Sequence, residues 1–341
     1  MPRPEIVDLF AGPGGLDVAA RDLGYEVTGI EFDQDACETR TKAGLATLQG
    51  DVRDFGPHKF PNATVLAGGP PCQTFTVAGQ GAGRRALDEV ITFVRRMAAG
   101  EDVRSKLSEL DDERTGLVLE PLRWALEALR DGHPYEAIVL EQVPAVLPVW
   151  KEYAKVLEAC GYSVAKPGVL YTEQFGVPQT RRRALLVARL NAEAKLPVPT
   201  RRVYRKGVPP DQGEPSQEPW VPMSKVVDRG TRFEVISNYG TGGDPKTRGR
   251  RTSDEPAFTV TGKVSRNRVV AMDGTELARF TNDEAGLLQT FPAGYPWSGR
   301  AIAQQIGNAI PPLLGKAVLK AAIGSAEEYA ADQLVGAARQ A

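Results

Sequence analysis

Short apolar runs alternate with stretches of helical spacing, and the pattern is set within the first 33 residues. EIVDLFA, residues 5–11, reads as a short buried strand and is followed by the glycine-rich turn GPGG. LDVAARDLG then has the apolar spacing of a helix, and YEVTGIEFD returns to a β-rich run that closes on acidic residues. This is a strand–helix–strand unit. The alternation continues with ATVLAGG as strand, LVLEPLRWALEALRDG as helix, YEAIVLEQV as strand, VWKEYAKVLEACG as helix and ALLVARL as strand. Such an order predicts an α/β fold, a parallel sheet with helices on both faces.

The character changes near residue 191. Pro, Gly and Arg become frequent, periodicity fades, and short β-like pieces such as FEVISNY and AFTVTG replace the long elements. A second, smaller, mostly β or irregular domain is expected over 191–300. The first domain then comprises 1–190 and 301–341, because AIAQQIGNAIPPLLGKAVLKAAIG is helical again with a proline break. The formal net charge of -1 hides an asymmetry: residues 181–270 hold 19 Lys+Arg against 9 Asp+Glu. A basic segment inside an acidic chain points to a polyanionic partner or to a solvated basic surface.

Composition narrows the chemistry. No apolar run approaches the roughly 18 residues of a membrane span, and MPRPEIVDLF lacks the features of a secretory signal, so a cytoplasmic location is expected. Three cysteines without metal spacing and only two histidines make a disulfide framework or a metal centre improbable. Any special cysteine is then a nucleophile. In GGPPCQTF, residues 68–75, Cys72 sits outside the preceding apolar run, on a corner stiffened by Pro70 and Pro71. Cys37 and Cys160 fall on predicted helices and read as packing residues.

The glycines of DLFAGPGG allow close approach of a ligand at the carboxyl end of the first strand, where open α/β sheets bind nucleotides. Glu31, ending the next strand, is placed to accept from ribose hydroxyls, and Asp51 from an exocyclic amine. The turn lacks both the Walker lysine and the full GxGxxG spacing, which favours an adenosine carrier without phosphates. Glu141 ends the strand AIVLE, and QTRRR sets Arg181 and Arg183 on one side of an extended segment with Arg182 opposite. Two such arginines suit holding a carboxylate and reaching a carbonyl.

Taken in order, DLFAGPGG, GGPPCQTF, DERTGLVLE, LEQV, QTRRR and QQIGNAIPP resemble the DNA (cytosine-5) methyltransferases over most of the chain. The resemblance implies a Rossmann-like methyltransferase sheet with a smaller target-recognition domain. It implies S-adenosyl-L-methionine as cofactor, S-adenosyl-L-homocysteine as product and no metal. Phe10 would lie against adenine, Gly12 and Gly14 near the methionine moiety, Glu31 on the ribose and Asp51 at the adenine amine. Phe32, Val52, Pro71, Leu117 and Asn308 would complete the walls. Cys72 would add to C6 of a flipped-out cytosine, Glu141 would assist at N3, Arg183 would hold O2, and Arg181 would orient Glu141 or the loop.

Double-stranded DNA is the implied partner, with Gln73 and Thr76 beside the nucleophile and Arg248, Arg250 and Arg251 of KTRGRR in the basic domain. A monomer is expected, with a restriction endonuclease as a possible companion in the cell. Two departures stand out. Gln142 replaces the family's usual asparagine, and residues 80–113 make a long segment of helical character, expected to close over DNA as a lid. Two other readings stay open beside this one: the same chemistry on RNA, and a DNA-binding protein that has lost its chemistry.

Overall fold

The computed structural model describes residues 5–71, 82–107, 113–238 and 248–324. In chain order the regular elements begin with β1 Glu5–Leu9, α1 Gly15–Asp22, β2 Glu26–Glu31, α2 Gln34–Lys42, β3 Ala46–Gln49 and β4 Ala63–Gly68. There follow α3 Ala82–Ala98, α4 Arg104–Leu107, α5 Glu113–Leu117, α6 Glu120–Arg130, β5 Ala137–Gln142, α7 Leu147–Ala159, β6 Ser163–Val164, β7 Gly168–Tyr171 and β8 Arg182–Arg189. The remainder holds β9 Phe233–Ile236, β10 Arg250–Thr252, β11 Arg268–Ala271, β12 Glu276–Leu277, α8 Asn282–Leu288, α9 Ile302–Asn308 and α10 Pro312–Ile323.

β-Branched and aliphatic residues make the inner strands. Ile6, Val7 and Leu9 of β1, Val65 and Leu66 of β4, and Leu185 to Val187 of β8 are all fully buried, as strands covered on both faces must be. The large sheet has eight strands, ordered β3-β2-β1-β4-β5-β8-β6, with β7 also paired to β8. One face packs on α3, α6 and α7 through Val94, Leu122, Trp124, Trp150 and Tyr153. The other packs on α1 and α10 through Leu16, Ala19, Leu314 and Val318.

The sheet is mixed rather than wholly parallel, which corrects the sequence expectation. β1 to β5 run parallel, but β8 is antiparallel to β5, and β6 and β7 are antiparallel to β8. The short strands β6 and β7 reverse the chain once more after α7, and fragments of two and four residues carry no periodic signal.

A second sheet of four strands has the order β10-β9-β11-β12 and its own core, in which Phe233, Val235 and Val269 meet Phe280, Leu288 and Ile306. AFTVTG, read as β-like, lies outside the named strands and pairs with the backbone of Gln179 through an isolated bridge at Ala257. Residues 291–301 pack back on the first helices: Phe291 and Tyr295 share a core with Val18, and Arg300 N and Ala301 N donate to the Asp35 carboxylate.

A buried polar seam joins the two sheets. Gln179 Nε2 donates to Leu288 O (2.9 Å) and Gln289 Oε1 (2.8 Å), while its Oε1 accepts from Val260 N (2.9 Å). Arg181, only 1% exposed, donates to Val260 O (2.9 Å), Gly307 O (2.9 Å) and Ala309 O (3.2 Å). Gln289 Nε2 donates to Ile306 O and Ala309 O. Side chains thus supply donors to carbonyls that no helix or strand ladder uses.

Removing the guanidinium strands the Val260 and Gly307 carbonyls and takes one of two donors from Ala309 O. Arg181→Met is expected to lower unfolding free energy by about 3–5 kcal/mol. Lys316→Ala, which breaks an exposed pair with Asp22, is expected to cost less than about 1 kcal/mol. Urea denaturation of the two variants checks both, and equal losses would contradict the seam's importance.

Candidate active site

The carboxyl ends of β1, β2, β4 and β5 lie side by side, because Leu9 pairs with both Ile30 and Gly68, and Gly68 in turn with Leu140. Beyond β1 the backbone enters left-handed conformations at Phe10 (φ 61), Gly12 (φ 55) and Gly14 (φ 98). A non-glycine residue in this region is uncommon, and Phe10 is held there as the chain swings from β1 into the turn. Open space lies where a side chain on Gly12 would stand, whereas one on Gly14 would collide with Leu45.

Glu31 closes the turn from the side. Its Oε2 accepts from Gly12 N at 2.7 Å and its Oε1 from Asp33 N at 2.7 Å. Burial pushes the carboxyl up from its ordinary range, and the backbone donors pull it back. Each oxygen keeps lone-pair capacity for a further donor. Next to it, Phe32 stands 74% exposed, an apolar ring in solvent.

Asp51 follows β3 and caps a single 3-10 turn, Val52–Asp54. Its carboxylate pairs with the Arg53 guanidinium at 2.6 Å, and these hydrogen bonds hold it below the usual carboxylate range. Val52 is buried, Pro71 and Leu117 are half-buried, and Asn308 is exposed with its Oδ1 accepting from Gln304 at 2.8 Å.

Three residues that sequence reasoning passed over support this turn. Asp17 and Arg40 form a buried ion pair (2.6 Å) beneath it, and Tyr295 donates to Pro13 O at 2.6 Å. Tyr295 arrives from 282 residues away, so no local pattern announces it.

The second cluster sits at the end of β5. Glu141 and Gln142 pair in register with Leu185 and Ala184 of β8. Arg183 Nε lies 2.5 Å from Glu141 Oε1, with both side chains largely buried. The N–H does not point at that oxygen, so the contact is electrostatic and Oε1 accepts no hydrogen bond. Glu141 Oε2 faces Gly69: a Cβ there would lie 3.6 Å from it. Gln142 Nε2 donates to Pro70 O, and its Oε1 accepts from Val143 N. Cys72, Gln73 and Thr76 lie outside the described residues, as does part of the 80–113 segment. Burial pushes the thiol of Cys37 up to about 11 and raises that of Cys160 as well, which suits packing rather than attack.

Two expected roles change. Arg181 does not orient Glu141 through any of its hydrogen bonds; all three go to backbone carbonyls of the seam, because that is where unpaired acceptors lie. Arg251 is likewise turned inward. Its guanidinium stacks between Tyr204 (4.4 Å) and Phe258 (4.7 Å), and its Nη1 donates to Thr180 Oγ1, Pro256 O and Ala257 O. Arg250 is exposed and pairs with Glu234, and Arg248 is half-buried.

Arg181 and Arg183 also border a cavity of about 480 Å³ whose other walls include Tyr171, Arg182, Tyr204 and Arg251. Arg182 stacks on Tyr171 at 4.9 Å. Glu173 lies in the same wall, 2% exposed, with its Oε2 unpartnered and burial pushing its carboxyl up to about 7. Nothing in the sequence around Glu173 marks it as buried.

No group of His, Cys, Asp and Glu that could hold a metal occurs among the described residues, and none of their helices is long and apolar enough to cross a membrane. Known proteins resemble the chain in both sequence and shape. It is 28% identical over 361 residues to the type II methyltransferase M.NgoFVII of Neisseria gonorrhoeae, covering 91% of this chain and 84% of that one. It is also 28% identical to M1.HphI of Haemophilus parahaemolyticus, covering 93% and 86%.

The Schizosaccharomyces pombe Dnmt2 methyltransferase superposes with a TM-score of 0.62 at 18% identity, covering 93% of this chain and 97% of that one. An Escherichia coli prophage protein described as a DNA modification methyltransferase gives 0.56 at 18%, covering 93% and 98%; both likenesses speak to the fold. The model of the C-5 cytosine-specific DNA methylase family matches residues 5–95 and 105–215. With that match over more than half its length, the chain belongs to the C-5 cytosine-specific DNA methylase family and is a DNA (cytosine-5) methyltransferase.

Proposed function

We propose that the enzyme methylates a cytosine flipped out of a specific double-stranded DNA sequence, through a covalent bond between Cys72 and C6 of the base. The observation that carries this reading is the Glu141–Arg183 pair beside the Pro70 carbonyl that Gln142 holds. C5 of cytosine is a weak nucleophile until the sulfur of Cys72 adds at C6 and makes the C5–C4 unit enamine-like. Glu141 is assigned to N3 and Arg183, paired with it, to O2.

The first turn fits S-adenosylmethionine. Glu31 keeps acceptor capacity for the ribose, Phe10 and Phe32 offer rings for adenine, Asp51 offers acceptors for its amine, and no lysine or arginine forms a phosphate cradle in the turn. Gly12, Gly14, Val52, Pro71, Leu117 and Asn308 complete this assignment. Bound there, S-adenosylmethionine supplies the methyl group and departs as S-adenosylhomocysteine. Loss of the C5 proton then lets Cys72 leave and restores the aromatic ring.

Residues 1–190 with 301–341 form the catalytic unit and 191–300 the target-recognition unit, whose last ten residues pack back on the first helices. Gln73, Thr76, Arg248 and Arg250 are assigned to DNA, and Arg251 to holding the recognition unit against Thr180. The enzyme acts as a cytoplasmic monomer within a restriction–modification pair, by analogy with the type II relatives. Base flipping costs a few kcal/mol and is repaid by contacts in the basic cleft.

Duplexes carrying 5-fluorocytosine at the target test the covalent step, with the target found by bisulfite sequencing. The intact enzyme is expected to form an adduct stable to denaturing electrophoresis, and Cys72→Ser none, with turnover at background. Glu141→Gln is expected to slow turnover about 10²–10⁴-fold while DNA affinity holds. Full turnover by Cys72→Ser would end the covalent reading.

The buried Glu173 carboxyl gives a pH signature. Its folded pKa near 7 exceeds the unfolded value of about 4.3, so between these values the folded state binds more protons. Stability from this group is present below about pH 4.3 and is lost as pH rises to about 7, with Arg251 and Arg182 moderating the loss. Wild type is therefore expected to lose on the order of 3 kcal/mol relative to Glu173→Gln between pH 4 and 8. Urea midpoints across that range check it; parallel curves would refute the burial argument.

A further inference from the structure

The wall assigned to adenine is a single 3-10 turn, Val52–Asp54, too short to fix itself. From within it is held by Asp54 N donating to Asp51 O (3.0 Å) and by a long bond of 3.4 Å from Phe55 N to Val52 O. From outside it is held by one side chain of α6. Arg123 Nη2 donates to both Val52 O (3.0 Å) and Phe55 O (2.9 Å), 71 and 68 residues away in sequence. The same guanidinium is fixed in turn, by Nε to Glu120 Oε2 (2.8 Å) and by Nη1 to Glu127 Oε2 (2.8 Å).

We propose that Arg123 is a positioning residue for recognition of the adenine ring: it sets the Val52–Phe55 turn, and through it the Asp51 carboxylate, at the place where the exocyclic amine must be met. The proposal rests on the reading that S-adenosylmethionine occupies the first-turn pocket. A planar fork of five N–H groups is what this junction needs, since two carbonyls and two carboxylates converge on it from different directions. A lysine ammonium has three donors and no fixed plane, so it cannot hold all four acceptors together. Glu120 is almost fully buried, and Arg123 is the counter-charge that makes its burial tolerable. Without the guanidinium the turn loses its only side-chain donor from α6, and Asp51 is left to follow the exposed Arg53.

Calorimetric titration of the full chain with S-adenosylhomocysteine and with its 6-oxo analogue, in which inosine replaces adenosine, tests the idea. Wild type is expected to favour the adenosine compound by at least about 10-fold, since a carboxylate accepts from an amine and repels a ring carbonyl. The double variant Glu120→Gln/Arg123→Met removes the buried charge with its partner, and Arg123→Lys keeps the charge without the fork. In both, affinity for the adenosine compound should fall about 10-fold and the preference over the 6-oxo analogue should shrink towards unity. In turnover assays the loss should fall on KM for the methyl donor rather than on kcat.

A merely structural role would lower the melting temperature and leave the affinity ratio unchanged, which overturns the proposal. If the double variant does not fold, Arg123→Lys decides on the same ratio. Wild type that binds neither compound would sink the cofactor reading itself; wild-type binding with an unaltered ratio in the variants sinks only this inference.

Discussion

Arg181 and the two glutamines beside it are what make two sheets into one catalytic body. Four segments distant in sequence, around residues 179, 260, 289 and 307, meet where no regular ladder supplies their backbone partners. Polar side chains fill that deficit, and each of them serves more than one segment. Because a buried acceptor without a donor costs more than a made hydrogen bond returns, the seam specifies one arrangement rather than simply adding stability. Arg183, two residues on, borders the same cavity as the buried Arg181. The basic cavity between the sheets is a consequence of that junction, since its walls come from both sides of it.

A similar economy holds beneath the first turn. Asp17 and Arg40 bring opposite charges together under backbone that must bend into left-handed conformations, and Tyr295 reaches in from the far end of the chain to bond Pro13. The turn is thus braced from below and behind, while its open side leaves free the space where a Cβ on Gly12 would stand and leaves Phe32 largely exposed. That arrangement leaves the open side of the turn with free acceptors on Glu31 and no lysine or arginine within the turn itself, in keeping with the proposed cofactor, which carries no phosphates.

What could be read in advance follows from how local each signal is. β1, α1 and β2 were legible because hydrophobic spacing and glycines within a few residues determine them, and Glu31 because it ends a strand. The place of Glu141 near the end of β5 was legible for the same reason. The direction of β8 was not, since two short strands reverse the chain without leaving a pattern. Arg181 was expected to orient Glu141 or the loop and Arg251 to meet DNA; only the folded chain reveals the backbone carbonyls and facing aromatic rings on which their guanidinium groups lie. The hold of Arg123 on the Val52–Phe55 turn and that of Tyr295 on Pro13 were invisible because these partners lie 68 or more residues away. Glu173 was invisible because a lone glutamate after a threonine says nothing of burial.

The substitution of Gln142 for the family's asparagine looks, from sequence, like a flaw in the loop that carries the thiol. The geometry around it gives the change a different meaning. Pro70 and Pro71 have no N–H between them, so these two residues offer only carbonyls for backbone anchoring, while Gly69 N before them donates to Leu9 O at 3.2 Å. Whatever bonds those carbonyls must donate, and Gln142 does so from the end of β5. A side-chain amide does this with its nitrogen while its oxygen satisfies Val143 N, so the group is secured at both ends. A glutamate at the same position would offer only acceptors to an acceptor and would set a second carboxylate beside Glu141. The requirement at position 142 is thus for an amide able to span from strand to proline, and the extra methylene changes its reach without changing its chemistry.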